Sequence, residues 1–253
     1  MTADEYVEAV LAKYEVARGT NSPAEALGRA VCDPINKWAG QQLRALKYSG
    51  SYAKRTGVRG TSDVDIFISL KHNTGGTLEE LYSSLYRLAE EQAWSPRKQN
   101  VSVGVTVNGI LGDLVPGREQ SENSSDHSLY VRRRKSWTKT NVELHINKVA
   151  NSGRIREIRA IKIWRLLRGL DFPSLYLELF TIHALSGQPG NALAGNVLHA
   201  LRMIGSSLTS TPIEDPANTN NVISDDLTVA EKQKIATEAA NSAGRGAWNE
   251  IIW

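Results

Sequence analysis

A single cysteine, Cys32, is present among 253 residues. No internal disulfide can form, and no thiolate cluster can hold a structural zinc, so stability has to come from a packed core in a reducing compartment. Long apolar runs are also missing. The most apolar stretch, residues 175–185, is broken by Glu178 and His183 and is too short to span a bilayer. Residues 1–6 lack the basic start and apolar core of a secretory leader, which makes the cytoplasm the expected location. No repeat period or low-complexity tract occurs, which sets aside solenoids and arrays. Charge of one sign is scarce as well: 30 basic against 27 acidic residues leave a formal +3, a mild excess that suits phosphate-bearing ligands without calling for a polynucleotide. With 41% hydrophobic and 23% charged residues, the composition is that of a globular protein able to build one large domain or two lobes.

What is present begins helical and then becomes mixed. Tyr6, Val7, Val10, Leu11, Tyr14 and Ala17 form the stripe of an amphipathic helix. Ser22, Pro23 and Glu25 read as the cap and first turn of a second helix, predicted to run to about Leu46 with a break allowed at Asp33-Pro34. Val64, Ile66, Ile68 and Leu70 then alternate with Asp63, Asp65, Phe67 and Ser69, the pattern of a strand with one apolar face. Leu78, Leu81, Leu85 and Leu88 mark a helix. Val101, Val103, Val105 and Val107 predict a strand, Asn108-Gly109 a tight hairpin turn, and residues 110–115 its partner. From Gly153 onward helices are predicted over 155–167, 174–185, 191–204 and 228–242, with 211–226 as a long loop. The expected fold class is α+β, with a mixed-sheet lobe over residues 1–150 and a helical lobe over 151–253. An N-terminal helix is free to pack on the second lobe, and the active site is expected in the cleft between the two.

The sharpest chemical signal is Gly50-Ser51 followed, twelve residues after the serine, by Asp63-Val64-Asp65. Two aspartates at i and i+2 on a strand share a face, so their carboxylates can hold divalent cations that neither would hold alone. Gly50 lets the backbone approach a phosphate, and Ser51 offers an amide and a hydroxyl to its oxygens. Asp113, the one acid in the following hairpin, is the candidate third carboxylate. Three such acids with two Mg2+ or Mn2+ ions suit activation of a hydroxyl nucleophile and stabilisation of a leaving pyrophosphate, which is nucleotidyl transfer. Lys162 lies on the inward stripe of its predicted helix, where a buried ammonium calls for an anion. Ser174 reads either as an N-cap or as a phosphate ligand. The run Arg132 to Lys135 reads as a solvated charged loop, and Trp137, Trp164 and Trp248 as packing residues.

Gly50-Ser51, Asp63-x-Asp65 and the distant Asp113 together resemble the DNA polymerase β-like nucleotidyltransferase superfamily. Asp113-Leu114-Val115-Pro116 is similar to the third-carboxylate strand of its template-independent branch, which includes CCA-adding enzymes, oligoadenylate synthetases and the bacterial CD-NTases. Residues 137–147, with Asn141, His145 and Asn147, resemble the segment that leads into the helical lobe. Residues 159–164, around Lys162, look like the helix whose lysine grips the triphosphate. Residues 173–178 look like the next helix start, whose Ser174 joins it; here Leu175 follows that serine and the aromatic, Tyr176, comes one position later. Asp215-Pro216 with Asn218, Asn220, Asn221 and Asp226 is similar to a late loop of bacterial CD-NTases.

The resemblance implies an enzyme that joins nucleoside triphosphates, ATP among them, into a cyclic di- or oligonucleotide second messenger. It also implies a downstream effector that senses the product in anti-phage (CBASS) defence. The alternatives are an RNA or tRNA 3′-end nucleotidyltransferase of the CCA-adding type and a non-catalytic nucleotide-binding module. The modest charge speaks against the first and the complete acid set against the second.

Overall fold

Three helices begin at a Thr or Ser cap paired with a Glu three residues on, at Thr2, Thr77 and Thr228, where side chain and backbone satisfy each other reciprocally. Ser22 caps a fourth by accepting from the Glu25 amide. A computed structural model describes residues 1–60 and 63–253. In chain order the elements are α1 (Ala3–Lys13), α2 (Pro23–Ala39), β1 (Leu43–Tyr48), α3 (Gly50–Ala53), β2 (Val64–Leu70), α4 (Leu78–Glu91), β3 (Arg97–Lys98), β4 (Val103–Val107), β5 (Ile110–Glu119), β6 (His127–Val131) and β7 (Ser136–Thr140). There follow α5 (Val142–Ala150), α6 (Ile155–Leu167), α7 (Ser174–Ala184), α8 (Leu193–Ser207), β8 (Glu214–Asp215), β9 (Asn218–Val222) and α9 (Val229–Ala243).

The chain forms two units. The sheet unit comprises Ala17–Lys54 and Ser62–Ile146; the helical unit comprises Met1–Val16, Arg55–Thr61 and Asn147–Trp253. α1 counts with the helices, as an N-terminal helix is free to do, and so does the short 55–61 segment, which a single cut at residue 150 leaves with the sheet. The reason is burial: Val7, Val10 and Leu11 of α1, and Val58, sit in the same core as Ile158, Ile161 and Trp164 of α6, Phe180 of α7 and Leu201 of α8.

In the sheet unit the strand order is β1-β2-β5-β4-β3, and β6 pairs with β5 and β7. β2 runs parallel to β5, whereas β1–β2 and β4–β5 are antiparallel, so the sheet is mixed. Val64, Ile66, Ile68 and Leu70 of β2 pack with Leu27, Val31 and Ile35 of α2 and with Tyr82 and Leu85 of α4. That leaves Asp65, Phe67 and Ser69 on the opposite face.

Three sequence expectations need correction. The second helix ends at Ala39, where Gly40 adopts a positive φ, and residues 43–48 form β1 instead of continuing it; Pro34 lies inside the helix without ending it. Residues 211–226 are not all loop, since β8 and β9 pair and a 3-10 turn covers Ile223–Asp226. Trp137, expected to pack, is 61% exposed, while Trp164 is buried and donates to Ser242 Oγ at 2.9 Å. No helix among the described residues is long and apolar enough to cross a membrane.

Candidate active site

Asp65 and Asp113 are direct partners in the parallel β2–β5 ladder, so two strands distant in sequence put their carboxylates side by side. Asp63 precedes β2 by one residue. The Gly50 turn is pressed against this pair: Ser49 N donates to the Asp65 carbonyl at 2.8 Å, and Gly50 has φ +54°. A Cβ on residue 50 would lie 1.7 Å from Asp65 Oδ2. Glycine is therefore required twice, by its backbone angle and by the carboxylate beside it. Ser51 follows as the second residue of α3, half-buried, in reach of whatever the turn holds.

Negative charge accumulates at this point. The Asp113 carboxyl is pushed up to about 6, first by burial and then by repulsion from Asp65 and Asp63; the Arg97 guanidinium and the Gln99 amide partly oppose the rise. Gln99 Nε2 donates to Asp113 Oδ1 at 2.7 Å. Gly104 lies opposite Asp113 in the β4–β5 ladder, and a Cβ there would sit 2.8 Å from that amide nitrogen. Gln99 and Gly104 carry no motif that would have marked them in the sequence; only the ladder register brings them to the acid.

The donors fit a hard divalent cation: they are carboxylate oxygens only, and Asp65 and Asp63 repel Asp113. Among the described residues, no three His, Cys, Asp or Glu side chains converge on one ion position. Asp63, Asp65 and Asp113 are the residues that would hold the ions.

In the helical unit, Lys162 is on the inward side of α6, 3% exposed, and the anion that meets it is the Glu178 carboxylate of α7 at 2.5 Å. Thr56, from the short 55–61 segment, accepts from Lys162 Nζ at 3.0 Å and donates to Glu178 at 2.6 Å. Sequence reasoning found the lysine but neither partner. Ser174 is the first residue of α7 and not its cap; its exposed hydroxyl accepts from Arg165 Nη1 at 3.0 Å. Tyr176 is fully buried, with its hydroxyl on the Leu208 carbonyl, and is a core residue.

No family model and no curated protein matches the sequence. Solved structures do. The CD-NTase CdnG of Bradyrhizobium diazoefficiens, in complex with GTP, superposes with a TM-score of 0.79 at 14% identity, covering 96% of this chain and 90% of that one. CdnC of E. coli MS115-1, in complex with HORMA-deltaN, gives 0.73 at 18% identity over 98% and 96%. The CdnE cyclic dinucleotide synthase of Elizabethkingia meningoseptica, with GTP and Apcpp, gives 0.68 at 14% over 97% and 100%. Over nearly its whole length, this chain has the polymerase β-like nucleotidyltransferase fold of the CD-NTases.

Proposed function

We propose that the chain is a metal-dependent, template-independent nucleotidyltransferase that joins nucleoside triphosphates into a cyclic di- or oligonucleotide. The observation that carries this reading is the pairing of Asp65 with Asp113 across β2–β5, next to Asp63 and under the Gly50-Ser51 turn. Mg2+ or Mn2+, two ions, would supply electrophilic stabilisation of the phosphoryl group and of the leaving pyrophosphate. The chain's own residues do the rest. Gly50 and Ser51 offer backbone and hydroxyl donors to the phosphates, which orients the donor triphosphate for in-line attack. Asp113 completes the site for the attacking ribose hydroxyl and accepts its proton at a carboxylate oxygen. Lys162 and Ser174 are proposed as further contacts to the β- and γ-phosphates. The product is proposed to act as a second messenger in bacterial anti-phage (CBASS) signalling, sensed by a downstream effector.

The test is to incubate the chain with each NTP and Mg2+, without RNA, then treat with phosphatase and resolve the products. A cyclic product has no terminal phosphate and survives. Synthesis that requires added tRNA and lengthens it would establish the RNA-extending alternative, and no pyrophosphate release under any condition would leave only a nucleotide-binding module.

A further inference from the structure

The turn between β3 and β4 is held by hydrogen bonds within itself and to two other elements. Gln99 N donates to the Ser102 carbonyl at 3.1 Å, and the Ser102 hydroxyl donates to Gln99 Oε1 at 3.1 Å. The ionised Asp113 carboxylate only accepts, so Nε2 is the end of the Gln99 amide presented to its Oδ1, at 2.7 Å, and Oε1 is left to accept from the Ser102 hydroxyl. The Gln99 carbonyl in turn accepts from the Tyr82 hydroxyl of α4 and from Arg132 Nε, each at 3.0 Å. Arg132 N donates to the Asn100 carbonyl at 2.8 Å, and Arg133 N to Asn100 Oδ1 at 3.1 Å.

The first residues of the basic run Arg132 to Lys135 are thus not merely solvated. They fasten the turn that carries Gln99. Gly104 completes the arrangement, since any side chain at that position would meet the Gln99 amide and Asp113 Oδ1. The Asp113 carboxylate is crowded by Asp65 and Asp63 on the β2 side, and a fixed neutral donor on the β4 side holds one of its oxygens, Oδ1, which limits the rotation of the group.

We propose that Gln99 is the positioning residue of Asp113, and that Arg132 fixes Gln99 through its main chain, which joins the basic β6–β7 turn to the candidate catalytic carboxylate. This rests on Asp113 being a catalytic acid. A neutral amide serves here because it pins one carboxylate oxygen without neutralising the charge that the acid set presents, as a lysine would.

The experiment compares Gln99→Leu, Gln99→Glu, Arg132→Ala and Asp113→Asn with the parent. It reads kcat, the NTP KM, and Mn2+ affinity by electron paramagnetic resonance without nucleotide. Gln99→Leu removes a hydrogen bond to a charged group and is expected to lower kcat by about 10- to 100-fold and to weaken Mn2+ binding about tenfold, with KM within threefold. Gln99→Glu keeps the volume and the Ser102 contact but sets a carboxylate against a carboxylate; it should be at least as damaging, and it decides the matter if the leucine variant folds poorly. Arg132→Ala should act in the same direction by several-fold. An inactive Asp113→Asn beside Gln99→Leu and Gln99→Glu variants with parental kcat and Mn2+ affinity would overturn the positioning role. A fully active Asp113→Asn would instead overturn the site assignment on which it rests.

Discussion

Asp113 faces Asp65 across a parallel ladder, and burial first, then repulsion from Asp65 and Asp63, disfavours the charged form of Asp113 in the folded protein. The folded carboxyl titrates at about 6 against an ordinary 3.8, so the native state holds this proton more tightly than the unfolded chain does. The cost to stability is absent below the unfolded value, grows as pH rises between the two, and is complete above the folded value. Asp113→Asn should therefore abolish turnover and yet stabilise the cation-free protein at pH 8, by roughly 1–2 kcal/mol after allowance for solvent screening. No gain should appear at pH 3.5. Thermal melts of parent and variant at the two pH values, in chelator, check this; a variant less stable at pH 8 would remove the repulsion argument.

Gly50→Ala addresses the other wall of the site. An alanine there must adopt φ +54° and place its Cβ 1.7 Å from Asp65 Oδ2, so either the turn or the carboxylate has to move. Backbone strain alone should cost about 1–2 kcal/mol, and displacement of Asp65 should lower kcat by about 100-fold or more. A variant with near-parental turnover would mean that the turn and the acid need not keep this contact.

His127 offers a test of the sheet unit away from the acids. It is buried, its Nδ1 lies 3.0 Å from the Ser125 carbonyl, and its Nε2 lies 2.7 Å from Ser69 Oγ. Burial holds its pKa below the ordinary 6.5. The unfolded chain thus takes up this proton first, and the stability contributed by the neutral ring is whole above pH 6.5 and is lost as pH falls below it. Replacement by glutamine should flatten the decline of melting temperature between pH 6.5 and 5. An unchanged slope would assign the acid sensitivity to other groups.

The carboxylate strand was legible because alternation along β2 and the i, i+2 spacing of Asp63 and Asp65 are local properties. So was the hairpin at Asn108-Gly109, where both residues take the positive φ that those types tolerate. Leu43 and Leu46 sit three apart, a spacing a helix shows as well, and what makes residues 43–48 a strand is antiparallel pairing with β2, which no local pattern encodes. Gln99, Gly104 and Thr56 escaped notice for the same reason. Their meaning comes from ladder register, or from a short segment buried with partners more than a hundred residues away.

The buried trio of Lys162, Glu178 and Thr56 separates a structural role from a nucleotide-binding one. Lys162→Met alone takes from the Glu178 carboxylate, 0% exposed, the ammonium 2.5 Å away and should cost about 3–5 kcal/mol. Replacing both, Lys162→Met with Glu178→Leu, removes the buried carboxylate as well, and the melting temperature should recover most of that loss. Nucleotide binding should not recover. If the ammonium also serves the phosphates, the stable double variant still lacks a charge-assisted contact worth about 1.5–3 kcal/mol, which is roughly a 10- to 100-fold weaker dissociation constant for a non-hydrolysable triphosphate. Titrating that analogue into the folded double variant and the parent decides between the two: equal constants would confine Lys162 to holding α6 against α7, and the phosphate contacts would then fall to Ser51 and to Arg165 with Ser174.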